Sequence, residues 1–212
     1  MNQWIFETQL INFALLKVLI LRIKLQDKIT EDDEKKLLEA TIQAPTSFNI
    51  QHWRFVILRD TKLREKIRKE LGFEQAQMTD ASLLILFTGD MKAWRKDVKR
   101  YWESASEEVS NMMVGMTDNF YKDREWLQRD EAQRSIGMAM QTLMLAAKAM
   151  GYDSCPMIGF DIEKLAELIN LPEDHVMGPM VAIGKKVKEP WPKPGQLSLE
   201  KLKFENEFPK KN

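Results

Sequence analysis

The segment between Ile136 and Met150 constrains the fold of this chain most, because it has a helical pattern yet is apolar on nearly every side. Its clear polar exceptions are Gln141, Thr142 and Lys148. A helix that is hydrophobic all round needs cover on all its faces, so it belongs in the interior. The sequence therefore predicts a long central helix that begins after an Asp130 cap and ends at Gly151.

Strands and helices alternate along the rest of the chain. Ser82–Thr88 is a continuous apolar run, as expected of a central strand that is covered on both faces. Further strands are predicted at Trp53–Arg59, Tyr152–Met157 and Met180–Lys186. Helix caps are predicted at Thr30, Asp60 and Asp161. The helix after Asp60 is expected to end near a left-handed Gly72. This alternation predicts an α/β or α+β fold rather than a bundle or a sandwich.

Length and charge limit the function classes. The 212 residues are enough for one packed domain, which we place at residues 28–208. Basic and acidic side chains number 32 each, so no overall positive field recruits nucleic acid or an anionic membrane. Cys155 is the only cysteine, which excludes an intramolecular disulfide and predicts a cytoplasmic location. We expect a buried thiol, surface imidazoles at His52 and His175, and no metal site.

Residues 1–27 form an apolar N-terminal segment that we expect to be helical. Charged residues at Glu7, Lys17 and Arg22 interrupt it, and no uncharged span reaches the ~18–20 residues of a bilayer crossing. It also lacks the pattern of a signal peptide. We interpret it as a helix packed against the domain or a partner subunit, with membrane association as the alternative.

Residues 90–129 combine many charges with apolar residues at three- and four-residue steps. This pattern predicts amphipathic helix, in two pieces that are separated near residues 104–106 or at Gly115. The aromatic and methionine stripe is typical of core packing, but it also fits a lid over an apolar substrate pocket. Beyond it, residues 187–212 contain four prolines and predict an extended C-terminal arm without helix before Leu199.

The motifs of several enzyme classes are missing. The chain has no G-x-G-x-x-G, no G-x-x-x-x-G-K-[ST] and no G-x-S-x-G, so a Rossmann site, a P-loop and acyl transfer have no sequence support. The remaining interpretation is that amides, hydroxyls and backbone groups bind a ligand, while a cofactor supplies the chemistry. The recognising side chains are predicted in one loop, at Thr46, Ser47, Asn49 and Gln51. Taken alone, the same loop also fits an ordinary polar turn.

A second candidate segment runs from Cys155 to Phe160. Pro156 and Gly159 in this segment leave the backbone N–H groups of Ile158 and Gly159 free to point into a cavity. We expect this turn to face the polar loop across one cavity. Together the two segments would form the walls of a site for a flat, polar ligand.

Four segments together resemble the flavin mononucleotide (FMN)-dependent nitroreductases in order and spacing. They are Ala44–Phe55, Arg134–Met150 followed by Gly151 and Tyr152, Pro156–Phe160, and Met180–Gly184. The resemblance covers roughly residues 28–208. It implies an α+β, three-layer α/β/α fold with a central, mainly antiparallel sheet. It further implies a homodimer that binds two FMN molecules at the subunit interface, with C-terminal arms that embrace the partner.

The resemblance also implies roles for individual residues. Ser47, Asn49 and Gln51 would contact the flavin, and the turn from Pro156 through Ile158 and Gly159 would approach its reactive nitrogen. Arg22 and Lys193 would reach the phosphate. NADH or NADPH would donate hydride to FMN, and the reduced flavin would reduce a nitroaromatic, a quinone or a related small acceptor.

The chain departs from the family pattern at residues 19–24. Family members usually carry Arg-Arg-Ser-x-Arg here, whereas this chain has Leu-Ile-Leu-Arg-Ile-Lys. Arg22 or Lys24 would have to substitute for the missing arginines, which predicts a weaker hold on the phosphate. One alternative follows from this departure, a dimeric interaction protein that is non-catalytic or binds flavin weakly. A second alternative, a flavin enzyme for another acceptor such as an enone, differs only in the lid at residues 90–129.

Overall fold

An antiparallel sheet lies between two layers of helices in the computed structural model, which describes residues 23–24, 28–187 and 195–209. The described strands are β1 (Ile23–Lys24), β2 (Trp53–Ile57), β3 (Leu83–Asp90), β4 (Asp153–Met157) and β5 (His175–Lys186). They follow the order β1-β5-β3-β2, and β4 also pairs with β5. All of these pairs are antiparallel, so the expected sheet type is confirmed.

The described α-helices are α1 (Glu31–Thr41), α2 (Thr61–Lys66), α3 (Gln77–Asp80), α4 (Glu107–Tyr121), α5 (Glu125–Ala149) and α6 (Ile162–Leu168). A π-helical turn, Ile67–Leu71, extends α2. Short 3₁₀ turns occur at Ser47–Asn49, Ala93–Arg95, Val98–Trp102 and Leu199–Lys201.

Strand β3 shows why the fold has three layers, because all of its residues are buried and alternate between two cores. Leu84 and Leu86 belong to a cluster with side chains of the π-helical turn, α3 and α6. Ile85 and Phe87 belong to a second cluster with side chains of α1 and α5. Successive side chains of a strand point to opposite faces, so a continuous apolar strand requires helices on both. The predicted three-layer fold is confirmed.

Three helix starts follow the predicted caps. The side-chain oxygens of Thr30, Asp60 and Asp161 accept hydrogen bonds from backbone N–H groups three residues later, at 2.7–3.1 Å. Gly151 at the end of α5 is left-handed, with φ +77°, as predicted. The expectation for Gly72 is wrong, because its φ is −105°. The left-handed residues after that helix are instead Phe73 and Glu74.

Helix α5 begins five residues before the predicted Asp130 cap, which is therefore wrong. Its first turns bury Leu127 and Gln128, and the Gln128 amide donates to the Tyr121 carbonyl oxygen at 2.8 Å. Among the described residues of one chain, one face of the apolar helix is covered and the opposite face is not. Ala139 and Leu143 on the covered face are buried, whereas Leu145 is 41% exposed.

The segment 90–129 is helical in pieces, as expected. Two 3₁₀ turns precede α4, the break falls between Trp102 and Ser106, and α4 continues through Gly115. In the C-terminal arm, residues 195–209 are exposed along their whole length. They carry large apolar side chains at Leu197, Leu199, Leu202, Phe204 and Phe208.

The N-terminal segment is described only at Ile23 and Lys24, where the expected helix is replaced by strand β1 paired with Lys185 and Lys186. Its other residues, including Arg22, lie outside the described part, as does Lys193. No helix among the described residues is long and apolar enough to cross a membrane. The division at residues 27 and 28 stays a prediction.

Candidate functional site

The loop between α1 and β2 has an unusual backbone. Phe48, Asn49 and Gln51 all adopt left-handed conformations, with φ of 51°, 55° and 55°. The Thr46 hydroxyl accepts a hydrogen bond from the Gln51 backbone N–H at 2.9 Å and so braces the loop. Left-handed conformations in non-glycine residues cost about 1–3 kcal/mol each, and such strain clusters at functional sites. Left-handed residues also occur elsewhere in the chain, at Phe73 and Glu74 for example, so the loop is a candidate for a ligand contact because this backbone coincides with polar side chains.

The polar side chains of this loop lie where the sequence places them, at one end of the sheet just before β2. Ser47 and Gln51 are partly exposed and Asn49 is exposed. The Gln51 side-chain amide, through Nε2, donates to Oδ1 of the Asn49 side chain at 3.4 Å, a long bond that a ligand could replace. These side chains offer neutral donors and acceptors at the surface of a strained, braced loop.

An aromatic cluster connects this loop to α4. The ring of Phe48 lies 5.4 Å from that of Phe120 and 6.1 Å from that of Tyr121, centroid to centroid. Tyr121 is stacked on Trp94 at 6.0 Å. The end of α4 therefore packs directly behind the candidate loop. The interpretation of 90–129 as core-packed and the interpretation as a lid both fit this contact.

His52 and Tyr121 are buried polar groups that sequence reasoning missed. His52 was expected at the surface, but it is fully buried, and its Nδ1 lies 3.0 Å from the Ser135 hydroxyl of α5. Burial lowers the pKa of His52 to about 4, so the ring is neutral near pH 7. No pattern in the surrounding segment indicates this burial, because the partner Ser135 lies 83 residues away in the sequence.

Tyr121 is also fully buried, and burial raises its pKa to about 12. The Ser47 hydroxyl partly offsets this rise, but Tyr121 Oη has no well-formed hydrogen bond among the described residues. His52 Nε2 and Trp94 Nε1 lack partners in the same part of the chain. His52, Trp94 and Tyr121 form the wall behind the loop. This wall is uncharged and contains polar atoms without well-formed hydrogen bonds among the described residues.

The second candidate segment lies at the edge of the sheet, where Pro156 of β4 pairs with Val181. Ile158 is 60% exposed, and Gly159 is held by the Gln75 side chain, which donates to its carbonyl oxygen. Within the described residues the N–H groups of Ile158 and Gly159 donate to no other backbone group. Their role as ligand contacts stays a prediction.

One chain does not bring the loop and this turn together. The loop leads into β2, the turn follows β4, and β3 and β5 separate these two strands. Three interstrand spacings amount to about 14 Å. The groove beside the loop is lined by Gln51, Trp53, Arg54, Arg100 and Tyr101, none of which belongs to the turn. Within one chain the two segments therefore do not line the same groove.

A cluster of acidic residues and a histidine lies near the same end of the sheet. Ligand atoms of Asp90, Asp174 and His175 lie within 4.8 Å of one another. The Lys96 ammonium group sits among them, 3.0 Å from both Asp90 carboxylate oxygens and 2.6 Å from Asp174. Burial opposes its charge, but these hydrogen bonds prevail and raise the pKa of Lys96. The group is an ion-pair cluster built around a lysine.

Comparison with known proteins identifies relatives over most of the chain. The sequence profile of the Nitroreductase family matches residues 24–185. Protein DrgA of Synechocystis sp. is 61% identical over 180 residues, which cover 82% of this chain and 85% of DrgA. The Bacillus subtilis protein named "Putative NAD(P)H nitroreductase MhqN" is 32% identical over 167 residues, 76% of this chain and 81% of that protein.

A solved structure supports the fold. A protein of Exiguobacterium sibiricum, described as a "putative nitroreductase in complex with FMN", superposes with a TM-score of 0.83 at 24% identity. The alignment covers 92% of this chain and 96% of that one.

Proposed function

Because the chain belongs to the nitroreductase family, we propose that it is an FMN-dependent oxidoreductase that passes hydride from NADH or NADPH to a small acceptor. The proposed acceptors are nitroaromatics, quinones and related compounds. FMN in the similarly folded Exiguobacterium sibiricum protein supports the cofactor, and the name of MhqN supports the reductant.

The strained polar loop is the observation that carries this proposal. Phe48, Asn49 and Gln51 are all left-handed, and the side chains around them are neutral and exposed or partly exposed. Amides and hydroxyls suit the hydrogen-bonding edge of a flavin ring, which is flat, polar and uncharged. The residues present therefore fit FMN, which when bound supplies the hydride chemistry that neutral side chains cannot.

Individual residues have defined tasks in this proposal. Ser47, Asn49 and Gln51 bind and orient the flavin from the loop. Pro156 shapes the turn whose N–H groups, at Ile158 and Gly159, contact the flavin from the second chain. The phosphate contacts proposed at Arg22 and Lys193 lie outside the described residues.

The wall behind the loop excludes water and charge. Phe48 packs on the end of α4, and the buried His52 and Tyr121 are both neutral near pH 7 because their pKa values are about 4 and about 12. Both groups therefore keep their protons fixed near pH 7 and add no charge to the wall. The proposed contribution of the chain is thus binding, orientation and a dry wall.

A homodimer is part of the proposal for physical reasons. The C-terminal arm exposes five large apolar side chains, and the apolar helix α5 has an uncovered side that includes Leu145. Apolar surface of this extent is typical of an interface. A second copy would also supply the turn that one chain holds about 14 Å from its own loop.

The visible spectrum of the purified protein tests this function. A flavin spectrum, before or after addition of FMN, and consumption of NADH or NADPH with a nitroaromatic or quinone are expected. A colourless protein that does not take up FMN would overturn the proposal. It would favour instead the non-catalytic dimeric protein, for which the missing arginines at residues 19–24 are the supporting observation.

The variant Asn49→Gly tests the site without adding strain. Glycine accepts the left-handed φ of 55°, so the variant removes the amide and relaxes the backbone. We expect FMN binding to weaken about tenfold, because one hydrogen bond to the flavin is lost. The melting temperature should be unchanged or higher, because glycine relaxes the left-handed backbone. The control is Asn170→Gly, another left-handed asparagine far from the loop. Equal FMN affinity in both variants would remove Asn49 from the site.

A further inference from the structure

The groove beside the candidate loop has the walls of an anion site. It has a volume of 440 Å³ and is lined by Gln51, Trp53, Arg54, Arg100 and Tyr101. This volume is within the range of small-molecule sites. Two guanidinium groups together with two aromatic rings suit a ligand that combines phosphate with a flat ring.

The groove also borders a strongly basic segment. Residues 92–100 carry five basic side chains, Lys92, Arg95, Lys96, Lys99 and Arg100, and one acidic side chain, Asp97. Lys96 is paired with Asp90 and Asp174, but the other four basic side chains still outnumber Asp97 in this segment, whereas the chain as a whole has a formal net charge of +0. A concave surface with charge of one sign raises the local concentration of ligands of the opposite sign.

The guanidinium group of Arg54 already has hydrogen-bond and ion-pair partners within the protein. Its Nη1 donates to the backbone oxygens of Gln51 and Trp53 at 2.8 and 2.9 Å. Its Nη2 lies 3.5 Å from the buried carboxylate of Asp90, which balances its charge. Arg54 therefore fixes the shape of the groove next to the loop rather than supplying free charge.

Arg100 supplies the free charge. It is exposed, its Nη2 donates to Tyr101 Oη at 2.7 Å, and its guanidinium lies 4.8 Å from the centre of that ring. Across the described ranges it forms no ion pair with a carboxylate. A guanidinium that is positioned by an aromatic ring and has no anionic partner can bind phosphate with two parallel hydrogen bonds.

We propose that this groove binds the phosphorylated adenosine end of the nicotinamide reductant, with Arg100 at the 2′-phosphate of the ribose. The inference rests on the proposed function, because it requires a dinucleotide as electron donor. Gln51 belongs both to the groove and to the candidate flavin loop, so a dinucleotide in the groove can reach the flavin with its other end. NADPH carries the 2′-phosphate and NADH does not. The groove thus makes NADPH the preferred reductant.

Binding of adenosine 2′,5′-bisphosphate tests the groove without any need for turnover. Isothermal titration calorimetry of the full chain should show that Arg100→Gln weakens binding about tenfold or more, as expected for the loss of a charge-assisted hydrogen bond. The matched control is Arg95→Gln. Arg95 is an exposed arginine of the same basic segment but lines a different cavity, so its loss should change the affinity less than about twofold.

Steady-state kinetics then test whether Arg100 contacts the 2′-phosphate that distinguishes NADPH from NADH. In Arg100→Gln we expect the KM for NADPH to rise about tenfold or more, with kcat, the KM for NADH and the dissociation constant of FMN unchanged. No binding of the bisphosphate to the wild type, or equal binding by Arg100→Gln, overturns the proposal. So does weaker FMN binding with unchanged bisphosphate affinity, which assigns the groove to the FMN phosphate. Bisphosphate binding through Arg100 by a chain that takes up no FMN supports the groove and overturns the oxidoreductase function.

Discussion

Tyr121 carries a hydroxyl group into the interior without giving it a well-formed hydrogen bond among the described residues. A buried polar group without a partner costs about 1–3 kcal/mol. A hydroxyl in this position, behind a loop with candidate ligand contacts, is a feature that stability alone does not explain. We therefore predict that the wall behind the loop belongs to the site.

The variant Tyr121→Phe is therefore expected to raise the free energy of unfolding, by about 1 kcal/mol, because it removes only the unpartnered hydroxyl. The matched control is Tyr152→Phe. Its hydroxyl donates to Asp33 Oδ2 at 2.5 Å, so its loss should lower the free energy of unfolding by about 1–2 kcal/mol. Urea unfolding of both variants checks the prediction. A larger loss in Tyr121→Phe than in Tyr152→Phe would contradict the prediction and mean that the Ser47 hydroxyl or a buried water bonds the Tyr121 hydroxyl.

His52 predicts a loss of stability in acid. Its pKa is about 4 when folded and about 6.5 when unfolded, so the unfolded chain binds the extra proton between these values. The free energy of unfolding should fall by about 3 kcal/mol as the pH drops from 6.5 to 4, and His52 should contribute no further change below 4.

Urea unfolding at several pH values measures this contribution. The variant His52→Gln should flatten the dependence between pH 4 and 6.5. The variant His175→Gln, at the only other histidine of the chain, should keep it. The same slope in His52→Gln and in the wild type would contradict the assignment.

At the scale of residues, the sequence predicted the candidate loop but not the wall behind it. Thr46, Ser47, Asn49 and Gln51 were found because a run of small polar side chains before an apolar strand is visible locally. The burial of His52 depends on Ser135, 83 residues away. Such a long-range contact leaves no pattern in the segment itself, and a left-handed Phe48 has no sequence signal either.

At the scale of elements, the sequence predicted the helix caps correctly where the capping hydrogen bond is exposed. The caps at Thr30, Asp60 and Asp161 act through their own side chains within one turn, so the sequence defines them. Asp130 failed as a cap because tertiary contacts extend α5 further, burying Leu127 and Gln128. Packing overrides a local preference that is worth about 1 kcal/mol.

Helix α5 has two apolar sides, one buried in the core and one exposed in a single chain. A pair of variants tests the contribution of each side. Leu143 is fully buried in the core, so Leu143→Ala should lower the free energy of unfolding by about 2–5 kcal/mol. Leu145 is 41% exposed in one chain, so Leu145→Lys should leave the fold intact but weaken the proposed dimer. Urea unfolding and sedimentation velocity check the two effects. An unchanged sedimentation coefficient in Leu145→Lys would exclude this side of α5 from the interface.

At the scale of the whole molecule, the three-layer fold followed from a few strong patterns: a continuous apolar strand, an apolar helix and the order of the segments between them. The distance between the candidate loop and the candidate turn could not be predicted from these patterns. The sequence places both near ends of strands, but their distance depends on strand order, and β3 and β5 lie between β2 and β4. Strand order is a property of the assembled sheet rather than of any one segment.

The separation of loop and turn has a genetic consequence if each site takes one segment from each of two copies. A chain with a defective loop and a chain with a defective turn would each form inactive homodimers. A mixed dimer, however, would pair the intact loop of one with the intact turn of the other and recover one working site of two. Random exchange of chains between Asn49→Leu and Gly159→Trp should restore about a quarter of wild-type turnover. Two inactive parents would thus complement each other.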